Sequence, residues 1–140
     1  MDNSKQTITV ETIVNAPVSI VWKSWTSPED IVKWNFASDD WHSPEAENDL
    51  RTGGTFRSKM ASKDGSMSFD FEGKYTAVAL HKSIDYVMAD GRKVAISFED
   101  LGESTKVAET FVPENVNSLE LQKGGWQAIL DNFKKYTETL

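Results

Sequence analysis

The stretch NSLELQKGGWQAILDNFKKYTETL, residues 117–140, decides the fold of this chain because it predicts one long amphipathic helix. Trp126, Ile129, Leu130 and Phe133 recur at steps of three and four residues, which places them on a single helical face. Six charged side chains lie at other positions of the stretch. A helix of this length is about 33 Å long, close to the width of a small domain. We therefore expect it to lie across the sheet that the rest of the chain forms.

The start and the middle of this helix carry two further signals. Asn117 is the predicted N-cap, and Glu120 at the third helical position reaches back to it. Gly124 and Gly125 lie inside the helix, where glycine costs about 1 kcal/mol relative to alanine. Something has to offset that cost. The predicted explanations are a close approach of a strand, a bend in the helix, or room left over a pocket.

The N-terminal third of the chain predicts one strand and then two short helices. Residues 7–14 alternate and are rich in β-branched side chains, which is typical of a strand, and an alternative start for this strand is Lys5. Pro17 and Pro28 each suit the first turn of a helix, since proline there lacks only an N–H that would be unpaired anyway. The second helix is predicted to end at about Trp34.

The middle of the chain predicts a meander of antiparallel strands. Residues 36–46 are interpreted as an irregular loop with aromatic anchors. The Asp-Gly pairs at 64–65 and 90–91 are strong hairpin signals, because that turn type requires positive φ at both central positions. The predicted strands cover residues 47–51, 55–62, 68–80, 85–88, 93–98 and 105–112. We therefore predict an α+β fold in one domain, residues 1–140, with a curved sheet of six to seven strands around the C-terminal helix.

Composition and charge exclude several classes of function. The net charge of −7 argues against nucleic acid and against an anionic membrane as partners, because both repel such a protein. The chain has no cysteine, which excludes disulfides and thiol chemistry. Its two histidines, His42 and His81, lack the spacing of metal ligands, so we expect neither a metal nor a cofactor. No signal-peptide pattern or membrane-spanning run is present, and we expect a cytoplasmic protein.

Aromatic side chains are the main candidate for a binding site. Alternation along the long central strand places Phe69, Phe71 and Tyr75 on one face together with Gly73, which removes bulk from the middle of the strand. If these faces are concave, they meet the apolar stripe of the last helix around a pocket. The predicted ligand-binding residues are Trp34, Trp41, Arg51, Phe56, Phe69, Phe71, Tyr75, Tyr86, Met88, Phe98, Glu109, Trp126, Ile129 and Phe133.

Two of these polar residues allow two interpretations each. Glu109 alternates with Val107 and Phe111 and would then point inward, where burial would raise its pKa and suit it to acid–base chemistry. In the alternative, Glu109 faces outward. Arg51 either reaches a ligand carboxylate or forms a structural ion pair with Asp49. The hydroxyls of the predicted pocket tyrosines are candidate donors to a ligand oxygen.

Four segments together resemble a known superfamily. They are residues 14–17 (VNAP) with the tryptophans that follow, 49–56 (DLRTGGTF), 71–75 (FEGKY) and 124–126 (GGW). This order resembles the START-like, helix-grip (SRPBCC) superfamily, and more narrowly the branch of the C-terminal domain of the activator of heat-shock protein 90 ATPase. The resemblance covers nearly the whole chain. It implies a helix-grip fold with a hydrophobic cavity between sheet and helix.

The residues and the resemblance together leave three functions open, since members of the superfamily include lipid carriers, hormone receptors, polyketide cyclases and co-chaperone domains. The first is binding of a small hydrophobic or amphipathic molecule without catalysis. The second is a cavity enzyme of the cyclase, dehydratase or hydrolase type, with Glu109 or a tyrosine as the acid–base group. The third is a co-chaperone-like domain whose partner is a chaperone. ATPase stimulation is not expected, because 140 residues leave no room for the additional domain of the full activator. We expect a monomer or a homodimer.

Overall fold

The computed structural model describes residues 6–140, which form seven strands and three helices. In chain order they are β1 (Ile8–Val14), α1 (Val18–Thr26), α2 (Pro28–Trp34), β2 (Trp41–Asn48), β3 (Thr55–Ser62), β4 (Ser68–Ala79), β5 (Ser83–Met88), β6 (Lys93–Asp100), β7 (Thr105–Phe111) and α3 (Leu119–Thr137). Lys5, the alternative start of the first strand, lies outside the described residues. The predicted α+β class and the two short helices after β1 are confirmed.

The seven strands form one sheet in the order β1-β7-β6-β5-β4-β3-β2, and every neighbouring pair is antiparallel. The strands β2 to β7 follow one another as a meander, as the hairpin signals predict. The first strand crosses to pair with β7. Bulges between His42 and Glu45 in β2, and between Tyr75 and Ala77 in β4, help the sheet to curl, since a bulge bends its strand.

The concave face of the sheet holds the core, and the C-terminal half of α3 is fixed firmly to it. Phe133 is fully buried between Trp25 and Trp34, with ring centroids 4.8 and 4.9 Å away. The hydroxyls of Ser24 and Thr137 share a buried hydrogen bond of 2.8 Å between α1 and α3. This half of the helix therefore packs as ordinary core, and the N-terminal half is left to cover the rest of the sheet.

Two local predictions are wrong. Ser118, not Asn117, is the N-cap of α3, and its hydroxyl accepts the N–H of Leu121 at 3.1 Å. Residues 36–46 are not a continuous loop, because β2 begins at Trp41. This strand ends at Asn48, whereas the predicted strand covered residues 47–51. Pro44 is tolerated in β2 because β2 is an edge strand with a bulge at this point.

Candidate functional site

A cavity of about 380 Å³ lies between the concave sheet face and the N-terminal half of α3. Strands β2 to β7, the two short helices and α3 all contribute to its wall. Its lining side chains come from Trp25, Ile31, Trp34, Asn35, Ala37, Glu47, Asn48, Phe56, Ser58, Met60, Phe69, Phe71, Tyr75, Ile84, Tyr86, Met88, Arg92, Ile96, Glu109, Glu114, Asn117, Leu121, Gln122, Trp126 and Ile129, and Gly125 adds backbone.

Aromatic rings from three adjacent strands form much of the cavity wall. The ring of Phe56 lies 5.7 Å from that of Phe71, 5.3 Å from that of Tyr75 and 4.8 Å from that of Tyr86. Trp126 closes the wall from α3 and stacks on Phe111, with ring centroids 4.0 Å apart. Alternation along each strand brings these rings to the same face. The rings pack on one another, which holds the wall in one shape.

The strand glycine Gly73 and the helix glycines Gly124 and Gly125 differ in the space around them. A methyl group on Gly73 would lie 2.7 Å from the ring of Phe56 and 2.9 Å from the backbone oxygen of Val87. Gly73 therefore makes room for the ring of Phe56. The prediction that it leaves space for a ligand is wrong. A methyl group on Gly124 or Gly125 would meet nothing within 4 Å. A close approach of a strand does not explain this glycine pair, and Gly125 borders the cavity.

Glu109 points inward from β7. Thr105, Val107, Glu109 and Phe111 are all buried, and the residues between them are more exposed. Only 4% of Glu109 is exposed, and its burial raises the pKa of the carboxyl from 4.5 to about 8. No hydrogen bond or ion pair joins it to another described residue. A carboxyl in this environment is mainly protonated at neutral pH, and it can donate or accept a proton inside the cavity.

Two tyrosines add hydroxyl groups to the cavity wall. Tyr75 donates a 2.5 Å hydrogen bond to Oδ1 of Asn48, whose Nδ2 in turn donates to the backbone oxygen of Thr26. The Tyr86 hydroxyl has no hydrogen-bond partner among the described residues. Burial, together with the nearby charge of Glu109, raises the pKa of Tyr86 well above its ordinary value. Both tyrosines are therefore neutral donors at physiological pH.

Ten of the fourteen predicted ligand-binding residues line the cavity, and four do not. Phe133 and Phe98 pack against the tryptophans of the two short helices and do not line the cavity. Trp41 packs against the ring of Phe69 on the edge of the sheet, 5.9 Å away. Arg51 lies outside the cavity with 70% of its side chain exposed, and its Nε is 3.0 Å from both carboxylate oxygens of Asp49. The ion-pair interpretation of Arg51 is therefore the one that the structure shows.

The sequence prediction missed several lining residues. Ser58 and Met60 share the inward face of β3 with Phe56, so alternation alone could have found them. Arg92, Glu114 and Gln122 come from a hairpin turn, a loop and a helix start, and no pattern in the sequence marks them. Gln122 is buried and ties the loop before α3 to the helix, because its amide accepts the N–H of Glu114 and donates to the backbone oxygen of Asn117.

In the described part of the chain, no helix is long and apolar enough to span a bilayer. No cluster of three or more potential metal-ligating side chains occurs among residues 6–140. The cavity combines volume, apolar surface and a group with a strongly altered pKa.

A curved antiparallel sheet that grips a long C-terminal helix around such a cavity defines the START-like, helix-grip class of proteins. Within this class, the chain belongs to the family described as activator of Hsp90 ATPase homolog 1-like protein, whose sequence model matches residues 15–138. The resemblance seen in the sequence is thereby confirmed at the level of superfamily and branch. A search of curated proteins returned no match.

Solved structures agree with this assignment. The solution structure of an AHSA1-like protein from Aeromonas hydrophila is 42% identical, with 96% of this chain and 93% of that chain covered and a TM-score of 0.90. A solution structure from Cytophaga hutchinsonii is 52% identical, with 99% and 94% covered and a TM-score of 0.82. A crystal structure from Nitrosomonas europaea, 18% identical with 99% and 97% covered, has a TM-score of 0.82 and supports the fold alone.

Proposed function

We propose that this protein binds a small apolar or amphipathic molecule in the cavity between the sheet and α3. The observation that carries the proposal is the cavity itself, about 380 Å³ in volume and walled mainly by aromatic and aliphatic side chains. Ligand pockets usually enclose about 300–1,000 Å³ and combine apolar walls with a few polar groups that fix orientation. Glu109 and Tyr86 are such groups, because both face the cavity without a protein hydrogen-bond partner among the described residues.

Gly125 supports the proposal independently. Glycine inside a helix costs about 1 kcal/mol relative to alanine, and no neighbouring atom requires a glycine at this position. An alanine here would strengthen the helix and reduce the cavity at the same time. The glycine is explained if the space that it leaves is used by a ligand.

The two adjacent helix glycines provide a matched pair of variants for the test. Gly125 borders the cavity, whereas Gly124 is exposed and does not. Leucine at either position adds the same helix-favouring side chain, but we expect only Gly125→Leu to fill the cavity. The measurement is thermal unfolding of the wild type and both variants against a panel of fatty acids, fatty amines and aromatic metabolites.

We expect members of the panel to stabilise the wild type and Gly124→Leu, and to lose this effect on Gly125→Leu. A ligand at about 100 times its dissociation constant stabilises a protein by about 2.7 kcal/mol. The proposal is wrong if no compound stabilises the wild type, or if binders stabilise Gly125→Leu as much as Gly124→Leu.

A second function, an enzyme of the cyclase, dehydratase or hydrolase type, is favoured by one observation. Glu109 has a pKa of about 8 inside an apolar cavity, which suits a general acid or base at neutral pH. The test is turnover of any compound that binds, measured with the wild type and with Glu109→Gln. Catalysis through this carboxyl requires a loss of about 100-fold or more in the variant, and unchanged turnover would remove Glu109 from the reaction.

A further inference from the structure

The ionisable groups that border the cavity are mostly acidic. Glu47, Glu109 and Glu114 contribute carboxyls, whereas Arg92 is the one guanidinium among the described lining residues. The charge of Arg92 is already compensated, since its Nε lies 2.7 Å from a carboxylate oxygen of Asp90. The cavity wall therefore carries three carboxyls and one compensated guanidinium, and once Glu109 ionises its charge favours a cation over an anion.

Two of these carboxyls have partners in the protein, and the third has none. Glu47 lies 3.3 Å from the guanidinium of Arg57. Glu114 accepts the backbone N–H groups of Asn117 and Val116, which lower its pKa. Glu109 is the most deeply buried of the three, yet no other described residue pairs with it. Because Glu109 lines the cavity, a bound ligand can supply the partner that the protein does not.

The surroundings of Glu109 suit a cation as well as an apolar group. Tyr86 and Trp126 line the same cavity, together with the ring cluster centred on Phe56. The faces of aromatic rings attract ammonium groups, and the attraction is stronger where water is excluded. A carboxylate that shares a cavity with aromatic rings can therefore recognise a basic nitrogen through an ion pair and through cation–π contacts together.

We propose that the ligand of this cavity carries a basic nitrogen on an apolar body, and that this nitrogen pairs with the carboxylate of Glu109. This proposal rests on the proposed function and specifies its ligand class. The apolar body lies against the ring cluster of β3, β4 and β5, and the protonated amine meets the carboxyl on β7. A neutral ligand would leave the carboxyl unpaired, and an acid would place two carboxyl groups close together.

The proposal predicts a dependence on pH with a definite sign. Free Glu109 is mainly protonated below pH 8, so binding of an ammonium group releases its proton to solvent. Amine affinity therefore rises with pH towards about 8, until the amine itself loses its charge. The other titratable groups on the cavity wall are Tyr75 from β4, Tyr86 from β5, Arg92 before β6, Glu47 from β2 and Glu114 after β7; the cavity-lining residues of α3 and β6 include none.

The test uses three probes with the same ring system and different charge: naphthylmethylamine, naphthylmethanol and naphthoic acid. Their dissociation constants are measured by calorimetry between pH 6 and pH 8, on the wild type, Glu109→Gln and Glu99→Gln. Glu99→Gln makes the same change of charge at an exposed position on β6, away from the cavity. It therefore controls for a general effect of net charge.

We expect the wild type and Glu99→Gln to bind the amine at least about tenfold more tightly than the alcohol at pH 8, and more tightly than at pH 6. Glu109→Gln should lose both the preference and the pH dependence while it still binds the alcohol, and that retained binding shows that the variant folds. The proposal is overturned if the alcohol or the acid binds the wild type as tightly as the amine, or if Glu109→Gln keeps the preference. Those results leave ligand binding intact, whereas binding of no probe and no panel compound contradicts the proposed function itself.

Discussion

Glu109 makes the stability of the ligand-free protein depend on pH. Its carboxyl ionises near 4.5 in the unfolded chain and near 8 in the folded protein, because burial disfavours the charged form. Unfolding between these values releases a proton, so the free energy of unfolding falls as pH rises. The stabilisation by the protonated carboxyl is complete below about pH 4.5 and is lost by about pH 8.

The substitution Glu109→Gln removes this titration. We expect its free energy of unfolding, measured in urea, to rise relative to the wild type from pH 5 to pH 8, by up to about 1.4 kcal/mol per pH unit. Glu99→Gln serves as the control and should show no such trend. Parallel pH profiles for the wild type and Glu109→Gln would mean that the carboxyl is not buried in the way described.

The direction of Glu109 could not be predicted from the sequence of β7. Both faces of this strand contain small or β-branched residues. Alternation alone therefore allowed Glu109 to point either into the core or out to solvent. Pairing with β1 and β6 decides between them, because it buries Val107 and Phe111 against the core and carries Glu109 with them. The ion pair of Arg51 was one of two open interpretations for a similar reason, since Arg51 lies in a turn whose direction the sequence leaves open.

At the scale of elements, β4 depends on a glycine opposite a large ring. Gly73 pairs with Phe56 of β3 and with Met88 of β5. We expect Gly73→Ala to destabilise the protein by about 1–3 kcal/mol, because the added methyl group overlaps the Phe56 ring and the fixed Val87 oxygen. Urea unfolding measures this effect.

The control for this substitution is Gly124→Ala, where the methyl group meets open space. That variant should gain up to about 1 kcal/mol, because alanine favours the helix. Equal effects of the two substitutions would contradict the close packing of Phe56 against β4.

Strands with clear turn signals were predicted well, and β2 was not. The boundaries of β3 match the prediction, and those of β4, β6 and β7 differ by one or two residues. Residues 36–46 lack alternation and contain Pro44, which usually argues against a strand. The protein forms β2 there because an edge strand needs hydrogen bonds on one side only, and its bulge absorbs the irregular register.

At the scale of the whole molecule, the order of elements was sufficient to predict the architecture. An amphipathic helix that follows a long antiparallel meander has one large apolar surface to cover, and α3 covers it. The cavity was predicted from the aromatic strand faces and the glycines, and the family resemblance implied it as well. Its volume could not be predicted from the sequence. The volume depends on how the rings around Phe56 pack, and on which apolar side chains pack against the tryptophans of the short helices instead of lining the cavity. A chaperone partner, the oligomeric state and a cytoplasmic location stay predictions.

The central claim is that the space between the sheet and α3 is a ligand-binding site, and NMR of the complex with naphthylmethylamine tests it most directly. The account predicts intermolecular nuclear Overhauser contacts from the naphthyl protons to Phe71, Tyr86 and Trp126, and none to the exposed outer face of β6. Contacts confined to the outer surface, or an amine that leaves the resonances of these three residues unchanged at saturation, would contradict the account.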